Sequence, residues 1–284
     1  MAVNSHIEWT DSTWNPVTGC DIVSPGCKNC YAKTFAERFR GVAGHPYEQG
    51  FDLRLWPDRL DLPLRWKEPR RVFVNSMSDL FHERVPDEFI QRVFDTMIAA
   101  DQHVFQLLTK RSQRMMAWTR ARYRFSNESS SKPILPSHIW LGVSIENQTF
   151  TKRIPDLQNT PSKVRFLSME PLIGAVRLHA KLLRGIHWII VGGESGPRAR
   201  PMNPSWVAAI QRQSIKYDVP FFFKQWGAFT PEGKRVGKKK AGRVLSGRTW
   251  DDMPVILHSS FSRTTVEVAT RLCPSDHLPQ NAIE

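Results

Sequence analysis

The stretch VRFLSME (residues 164–170) shows the pattern that decides the fold, a short apolar run that ends in polar residues. Nearly continuous apolarity of this kind is typical of a strand that is buried on both faces, as in parallel sheets. Similar runs occur at residues 72–74, 103–108, 139–143, 187–191 and 219–223, and a first strand is predicted at about 14–18.

The segments between these runs have the features of helices. Residues 86–100, 111–122 and 204–217 carry apolar side chains at helical spacing, and Asn203 before Pro204 is a plausible helix start. Each strand and the helix after it therefore form one βα unit, which predicts either an open doubly wound sheet or a barrel. Polar residues follow every strand, and only a barrel brings all of its strand ends to one central site.

We therefore predict an α/β fold, a partial (βα)6-type barrel with a small basic C-terminal appendage. The barrel is expected to span residues 1–230, with a cysteine loop at 20–30 and a surface insertion rich in Ser and Pro at about 122–138. Residues 231–284, which begin with lysines and arginines interleaved with glycines, are expected to form the appendage and a tail.

Composition excludes several classes of protein. The 284 residues include 40 Lys+Arg and 27 Asp+Glu, which gives a net charge of +13, and 40% are hydrophobic. No apolar run approaches the roughly 18–20 residues of a membrane span, and the first residues do not resemble a signal peptide. We therefore expect a cytoplasmic protein without a membrane partner, in a reducing compartment where clustered cysteines usually serve metal or redox chemistry.

Three of the four cysteines lie together in GCDIVSPGCKNCYA (residues 19–32), as Cys20, Cys27 and Cys30, whereas Cys273 is far away. Structural zinc requires four ligands, which Asp21, His45 or Cys273 would have to complete. An iron–sulfur cluster with three cysteine ligands would instead keep one iron open for a substrate or cofactor. The spacing alone leaves iron–sulfur and zinc open, with the missing fourth ligand favouring iron–sulfur.

The motifs together resemble a known family. A cysteine triad after the first strand of a partial βα barrel resembles the radical S-adenosylmethionine (radical SAM) superfamily. The whole series is similar to the three-cysteine-motif proteins of phages and prophages, a radical-SAM-like family of unknown function, and more distantly to the spore photoproduct lyases. The motifs that carry this resemblance are IEWTDSTWNPVTGC (7–20), GCKNCYA (26–32), VNSMSDLF (74–81), LLTKR (107–111), LGVSIEN (141–147), RFLSMEPL (165–172), VGGESGPRARP (191–201) and FFKQWG (222–227).

The resemblance implies that Cys20, Cys27 and Cys30 ligate a [4Fe–4S] cluster. S-adenosylmethionine would bind the open iron and yield a 5′-deoxyadenosyl radical on reduction. The sequence departs from the superfamily in two ways. The first cysteine gap is six residues rather than three, and Gly192-Gly193-Glu194 follows a late strand rather than the second one.

Candidate site residues are the polar residues at the strand ends. For the cofactor we predict Tyr31, Asn75, Ser76, Asp79, Lys110 and Glu146. For the substrate we predict Glu170, Gly193, Glu194, Lys224, Gln225 and Trp226. Turn and cap chemistry is the alternative for Asn75, Ser76 and Asp79, buried ion pairs are the alternative for the glutamates, and plain packing is the alternative for Trp226.

The positive charge points to a phosphate-bearing partner. Lysines and arginines beside aromatic residues are typical of nucleic-acid contacts, although such a run is also compatible with a solvated loop. The residues predicted to contact phosphates are Lys234, Arg235, Lys238, Lys239, Lys240 and Arg243.

The resulting hypothesis is a radical-SAM-like iron–sulfur enzyme that modifies or repairs a nucleic acid or nucleotide. It would use a reductant such as flavodoxin or ferredoxin and work with an operon-encoded partner protein. One alternative is a barrel hydrolase that cleaves a glycosidic bond with a pair of strand-end glutamates. The other is a non-catalytic, zinc-stapled module that binds nucleic acid.

Overall fold

The computed structural model describes residues 5–255 and confirms the α/β partial barrel. The strands are β1 Ser12–Trp14, β2 Val17–Thr18, β3 Arg54–Leu55, β4 Arg71–Val74, β5 Val104–Thr109, β6 Ile139–Ser144, β7 Val164–Met169, β8 Trp188–Gly192 and β9 Phe221–Gln225. Seven of them form one parallel sheet in the order β1-β4-β5-β6-β7-β8-β9, and β2 pairs with β3 as a separate antiparallel ribbon.

The helices follow the strands as expected for βα units. They are α1 Tyr31–Ala36, α2 Asp87–Ala99, α3 Ser112–Arg122, α4 Arg153–Gln158, α5 Ala180–Leu183, α6 Pro204–Lys216 and α7 Lys238–Ala241. The three long helices, α2, α3 and α6, lie within a residue of their predicted bounds. Asn203 caps α6 as predicted, since its side chain accepts a hydrogen bond of 2.9 Å from the Ser205 amide.

Side chains alternate between the two faces of the sheet, which explains why the strands are apolar on both. One set, exemplified by Val72, Leu141 and Ile189, belongs to the main hydrophobic core together with residues of the long helices. The residues between them, such as Phe73 and Trp188, belong to the other face. A strand with apolar residues on both faces reads as an unbroken run.

The aromatic side chains of the inner face show that the sheet is curled. Trp188 on β8 contacts Trp140 on β6 and Phe222 on β9, each with ring centroids 5.9 Å apart. It also contacts Trp9, which precedes β1, at 6.1 Å, and Trp9 packs against Phe73 on β4 at 4.6 Å. Because rings near the first strand touch a ring on β8, the sheet wraps around a shared interior and forms a partial barrel.

One detail differs from the prediction. The segment at 14–18 forms two short strands rather than one, since Pro16 lacks an amide hydrogen for a sheet and follows the last residue of β1 by two positions. β1 then pairs with β4, while β2 turns away to pair with β3. The parallel sheet still has seven strands, which correspond to the six apolar runs and the predicted first strand.

Residues after β9 pack along that strand. The Phe223 amide donates to the Trp250 carbonyl at 2.9 Å, and the Trp226 amide donates to the Gly242 carbonyl at 3.1 Å. The described residues as far as Pro254 belong to one compact unit. The rest of the predicted tail, including Cys273, lies outside the described residues. Across residues 5–255, no helix has the length and apolarity to cross a membrane.

Trp188→Ala tests the curled interior. Because the indole is fully buried among four aromatic rings, its loss should lower the free energy of unfolding by about 3–5 kcal/mol in urea titrations. Ile215→Ala is the matched control, since Ile215 is 61% exposed on α6, and it should change stability by less than about 0.5 kcal/mol. Equal effects of the two substitutions would contradict the packing described.

Candidate cofactor and substrate site

A cavity of about 340 Å³ lies where the carboxyl ends of the strands meet the cysteine loop. Its size is that of a small-molecule site. Most of the predicted site residues contribute to its wall: Cys20, Cys27, Cys30, Tyr31, Asn75, Ser76, Asp79, Lys110, Glu170, Gly193, Glu194, Lys224, Gln225 and Lys238. The curled sheet therefore brings together residues that are up to 218 positions apart in the chain.

The three cysteines of the loop line this cavity as free thiols, each partly buried. Burial, reinforced by the nearby Asp79 carboxylate, raises the pKa of Cys20 to about 11. The Arg111 guanidinium partly offsets this, since its Nη1 donates to Cys20 Sγ at 3.3 Å. A soft donor set of this kind suits iron, zinc or an iron–sulfur cluster.

The cysteine loop, residues 20–30, is fastened to three strand ends. After β5, Arg111 contacts Cys20. After β6, Glu146 accepts a hydrogen bond of 2.6 Å from Ser24 Oγ. After β8, Glu194 accepts one of 3.1 Å from Asn29 Nδ2. These contacts hold the loop across the mouth of the partial barrel.

Glu146 is the most deeply buried of these anchors, with no exposed surface. Arg153 Nη1 lies 3.3 Å from its carboxylate and Lys110 Nζ lies 3.8 Å away, so the charge is balanced inside the protein. The loop passes so close that a Cβ at Gly26 would sit 2.6 Å from Glu146 Cγ. Glu146 is absent from the cavity wall and lies beneath the loop, and the cofactor contact predicted for it stays a prediction.

Asp79 organises the ends of β4 and β5. Its buried carboxylate accepts hydrogen bonds from Thr109 Oγ1 at 2.7 Å, from the Lys110 amide at 3.0 Å and from Arg111 Nη1 at 3.2 Å. It also accepts from the Phe81 amide at 3.0 Å, which is the turn chemistry expected as the alternative. Asp79 thus holds Arg111 against Cys20, although it also borders the cavity.

Ser76 and Tyr31 meet at the edge of the cavity. The Tyr31 hydroxyl donates to the Ser76 carbonyl at 2.6 Å, while Ser76 Oγ donates to Asn15 at 3.2 Å. Asn75 differs from both, because its backbone has φ of 60°, a left-handed conformation that asparagine tolerates, and its buried side-chain amide contacts no hydrogen-bonding group of the described residues.

The two other strand-end glutamates are also paired with cations. Lys224 Nζ lies 2.6 Å from Glu170, and Arg200 Nη2 lies 2.6 Å from Glu194. Burial raises the pKa of Glu194, but hydrogen bonds from Arg200 and Asn29 outweigh it, so the pKa is lowered overall. A glycosidase needs one carboxyl with a raised pKa to act as the acid, and Glu194 does not meet that requirement.

Side chains that the zinc alternative would use have other partners. Asp21 accepts a hydrogen bond of 2.8 Å from His82 and pairs with Arg84, and His45 stacks on Phe39 with ring centroids 3.9 Å apart. Within the described part of the chain, no group of three or more His, Cys, Asp or Glu side chains, the loop thiols included, is placed to hold a metal ion. Cys273 lies outside that part.

Trp226 does not line the cavity. It is 4% exposed, packs against Phe223 with ring centroids 4.9 Å apart, and its Nε1 donates to the Val244 carbonyl at 2.9 Å. The structure thus places Trp226 in the core, as the packing alternative expects, while the substrate contact stays a prediction.

The residues predicted to contact phosphates divide into two groups. Lys234, Lys239 and Lys240 are exposed. Arg235, Lys238 and Arg243 make contacts within the protein: Arg235 donates to the Gly196 and Pro197 carbonyls, Lys238 pairs with Glu8 at 2.8 Å, and Arg243 pairs with Asp251. Lys238 also lines the cavity, so the basic segment reaches its mouth.

Arg111, Ser24 and Asn29 are site residues that the sequence did not reveal. Arg111 and Asn29 line the cavity, and Ser24 holds the loop. The motifs LLTKR and GCKNCYA contain Arg111 and Asn29, but a single sequence does not reveal which of their polar residues touch each other. Ser24 is separated from Glu146 by 122 positions, so no local pattern links the two.

Glu146→Gln tests the attachment of the cysteine loop. The change leaves Arg153 without its buried counter-charge and weakens the Ser24 contact, so we expect a loss of about 3 kcal/mol in unfolding free energy. It should also speed tryptic cleavage after Lys28, which is exposed in the loop. Glu68→Gln, at an exposed loop position, is the control and should leave both measurements unchanged. Unaltered cleavage in Glu146→Gln would show that the loop is held by other contacts.

Comparison with solved structures gives several spore photoproduct lyases. The complex with dinucleoside spore photoproduct has 13% sequence identity and a TM-score of 0.40, and the alignment covers 70% of this chain and 59% of that one. A tyrosine-to-phenylalanine mutant of the lyase has 10% identity and a TM-score of 0.42, with coverage of 74% and 75%. A double mutant with bound AdoMet and dinucleoside spore photoproduct has 13% identity and a TM-score of 0.38, with coverage of 72% and 61%. This chain thus matches about 60% of the length of two of these three lyases.

Comparison of sequences, unlike comparison of structures, assigns the chain to a family. No curated protein matches the chain. A protein-family profile, described as "Protein of unknown function (DUF5131)", matches residues 4–254 and so covers nearly all of the described structure. The chain belongs to this family of proteins of unknown function.

Proposed function

We propose that this protein is a radical-SAM-like iron–sulfur enzyme that acts on a nucleic acid or nucleotide. One observation carries the proposal: three free thiols on a single loop line a cavity at the carboxyl ends of a curled parallel sheet. That end of a βα barrel is where cofactors and substrates bind.

The donor set fits a [4Fe–4S] cluster with three protein ligands. Cys20, Cys27 and Cys30 would hold it, and the cavity beside them leaves room for S-adenosylmethionine at the remaining iron. When bound and reduced, the cluster and S-adenosylmethionine supply a 5′-deoxyadenosyl radical that abstracts hydrogen from the substrate. The electron would come from a reductant such as flavodoxin or ferredoxin.

The chain's own residues would bind the cofactor and substrate, orient the cysteine ligands and shield the site from water. The cysteine loop would cover the mouth of the cavity and limit the access of water. This protection is needed because a radical intermediate must be kept from side reactions. Arg111 is held by Asp79 and donates to Cys20 Sγ, so it orients one ligand. Lys110, which is partly exposed, and Lys224, which is buried and paired with Glu170, are the cations that we propose for anionic groups of a cofactor or substrate.

The basic segment supports a nucleic-acid substrate. Lys238 belongs both to this segment and to the cavity wall, and Lys239 and Lys240 beside it are exposed. A phosphate backbone that follows these lysines would pass the mouth of the cavity. Contacts of this kind supply affinity and position the substrate without selecting a sequence.

Anaerobic purification tests the cofactor. We expect about four iron and four sulfide per chain. The protein should absorb in the blue region of the visible spectrum, and dithionite should bleach this band. It should also form 5′-deoxyadenosine from S-adenosylmethionine. Cys27→Ala should abolish iron binding, because a cluster held by two thiols is not retained. Cys273→Ala is the matched control and should keep the full iron content. Stoichiometric zinc without iron in the wild-type protein would overturn the proposal.

Salt titration tests the basic segment. A double substitution Lys239→Ala and Lys240→Ala should weaken binding of a fluorescent single-stranded oligonucleotide and lower the slope of log K against log[salt] by about 1–1.5, since each lost phosphate contact removes about 0.7. Lys163→Ala is the control, because Lys163 is exposed before β7 at the opposite end of the sheet. If the double variant and the control bind alike, the segment does not contact the nucleic acid.

A further inference from the structure

The cavity contains buried polar atoms that lack a protein partner. Among the described residues, no hydrogen bond reaches Trp9 Nε1, Asn75 Nδ2 and Oδ1, Ser168 Oγ or Gln225 Oε1, and all four residues line the cavity. Each of these residues is at least 95% buried. Folded proteins pair nearly all such atoms, because an unpaired buried polar atom destabilises the folded state. Other unpaired buried atoms, such as Trp118 Nε1 and His103 Nδ1, lie outside the cavity, but these five atoms share one wall that a ligand can reach.

The chemistry of these atoms describes the ligand. The Asn75 amide offers a donor and an acceptor side by side. Gln225 Nε2 donates to the Gly193 carbonyl at 3.0 Å, which leaves its Oε1 as an acceptor. The Ser168 hydroxyl can do either, and Trp9 Nε1 only donates. The four groups are uncharged, so they match neutral donors and acceptors of a ligand. The same wall also carries Lys110, Lys224 and Arg111, whose Nη2 has no partner among the described residues, and these cations match an anionic part of the ligand.

The surrounding wall indicates that the ligand is flat and partly apolar. Phe73 and Leu108 also line the cavity, and the Trp9 ring is fixed against Phe73 and Trp188. A heterocyclic base combines an aromatic face with an edge of adjacent donors and acceptors, and side-chain amides bind such edges through two hydrogen bonds.

None of these four residues is an anchor of the cysteine loop, which is fastened to the ends of β5, β6 and β8. Trp9 precedes β1, Asn75 follows β4, Ser168 lies on β7 and Gln225 ends β9. Lys238 pairs with Glu8, the residue before Trp9, and so connects this part of the wall with the basic segment.

We infer that Trp9, Asn75, Ser168 and Gln225 bind a nucleobase of the substrate, one base turned out of its strand into the cavity. The inference rests on the proposed function for the nature of the reaction, and it names the part of the substrate that enters the site. An extruded base is usually read through hydrogen bonds to its edge and apolar contacts with its face. The exposed lysines beside Lys238 would hold the flanking phosphates.

Calorimetric titration of the cluster-loaded protein, in the presence of saturating S-adenosylmethionine, tests the base site. The four deoxynucleosides and a short single-stranded oligonucleotide are the ligands, and we expect at least one nucleoside to bind, with the oligonucleotide binding more tightly. Ser168→Ala should lower the affinity for that nucleoside by about 3- to 10-fold, because one hydrogen bond is lost. Asn75→Ala should lower the affinity by about 10- to 100-fold, because two hydrogen bonds are lost. Ser205→Ala, at an exposed position of α6, is the control.

Thermal stability separates a ligand contact from a structural one. Because Ser168 Oγ has no partner in the described protein, Ser168→Ala should leave the melting temperature of the ligand-free protein unchanged or raise it, while nucleoside binding weakens. A lower melting temperature with unchanged binding would overturn the inference.

Two further outcomes keep this test distinct from that of the proposed function. Competitive displacement of the nucleoside by S-adenosylmethionine would assign the four groups to the cofactor and overturn the base site. Nucleoside binding that Ser168→Ala weakens in a protein without iron would support the base site while it refutes the radical mechanism.

Discussion

The buried contact between Ser24 and Glu146 is the constraint on which the site depends. It joins the middle of the cysteine loop to the centre of the sheet, 122 positions later in the chain. Arg153 balances the charge of Glu146, and Gly26 allows the loop to approach the carboxylate at a distance that no side chain would permit. With the loop fixed there, Cys20 reaches Arg111 and Asn29 reaches Glu194, so all three thiols border one cavity.

The curl of the sheet places the strand ends around the cavity that the cysteine loop borders. The ring contacts of Trp188 with Trp9, Trp140 and Phe222 draw distant strands around a common interior. Aromatic packing fills this interior toward the amino ends of the strands, while shorter and polar side chains such as Ser144 and Ser168 follow toward the carboxyl ends. The interior therefore changes from packed core to cavity along the strands, and the same residues that stabilise the fold form the closed end of the site.

Much of this architecture could be predicted from the sequence. Apolar runs such as residues 164–167 marked strands buried on both faces, and the polar residues after them marked the end of the sheet where the cavity lies. The sequence did not predict which of those polar residues supports the loop, which orients another side chain and which lines the cavity. Glu146 and Asp79 have the same local setting as Glu170, yet only the folded chain shows that Glu146 supports the loop, that Asp79 orients Arg111, and that Glu170 is held by Lys224 on the cavity wall. The burial of Trp226 could not be predicted for the same reason, because it depends on the segment that returns along β9.

Electron paramagnetic resonance of the dithionite-reduced protein tests whether the loop thiols hold a cluster with one iron open to S-adenosylmethionine. The spectrum should show a reduced [4Fe–4S] signal whose g-values change when S-adenosylmethionine is added, because the cofactor binds the iron that has no cysteine ligand. A cluster signal that S-adenosylmethionine leaves unchanged, or a protein that holds zinc and gives no signal, would contradict the account.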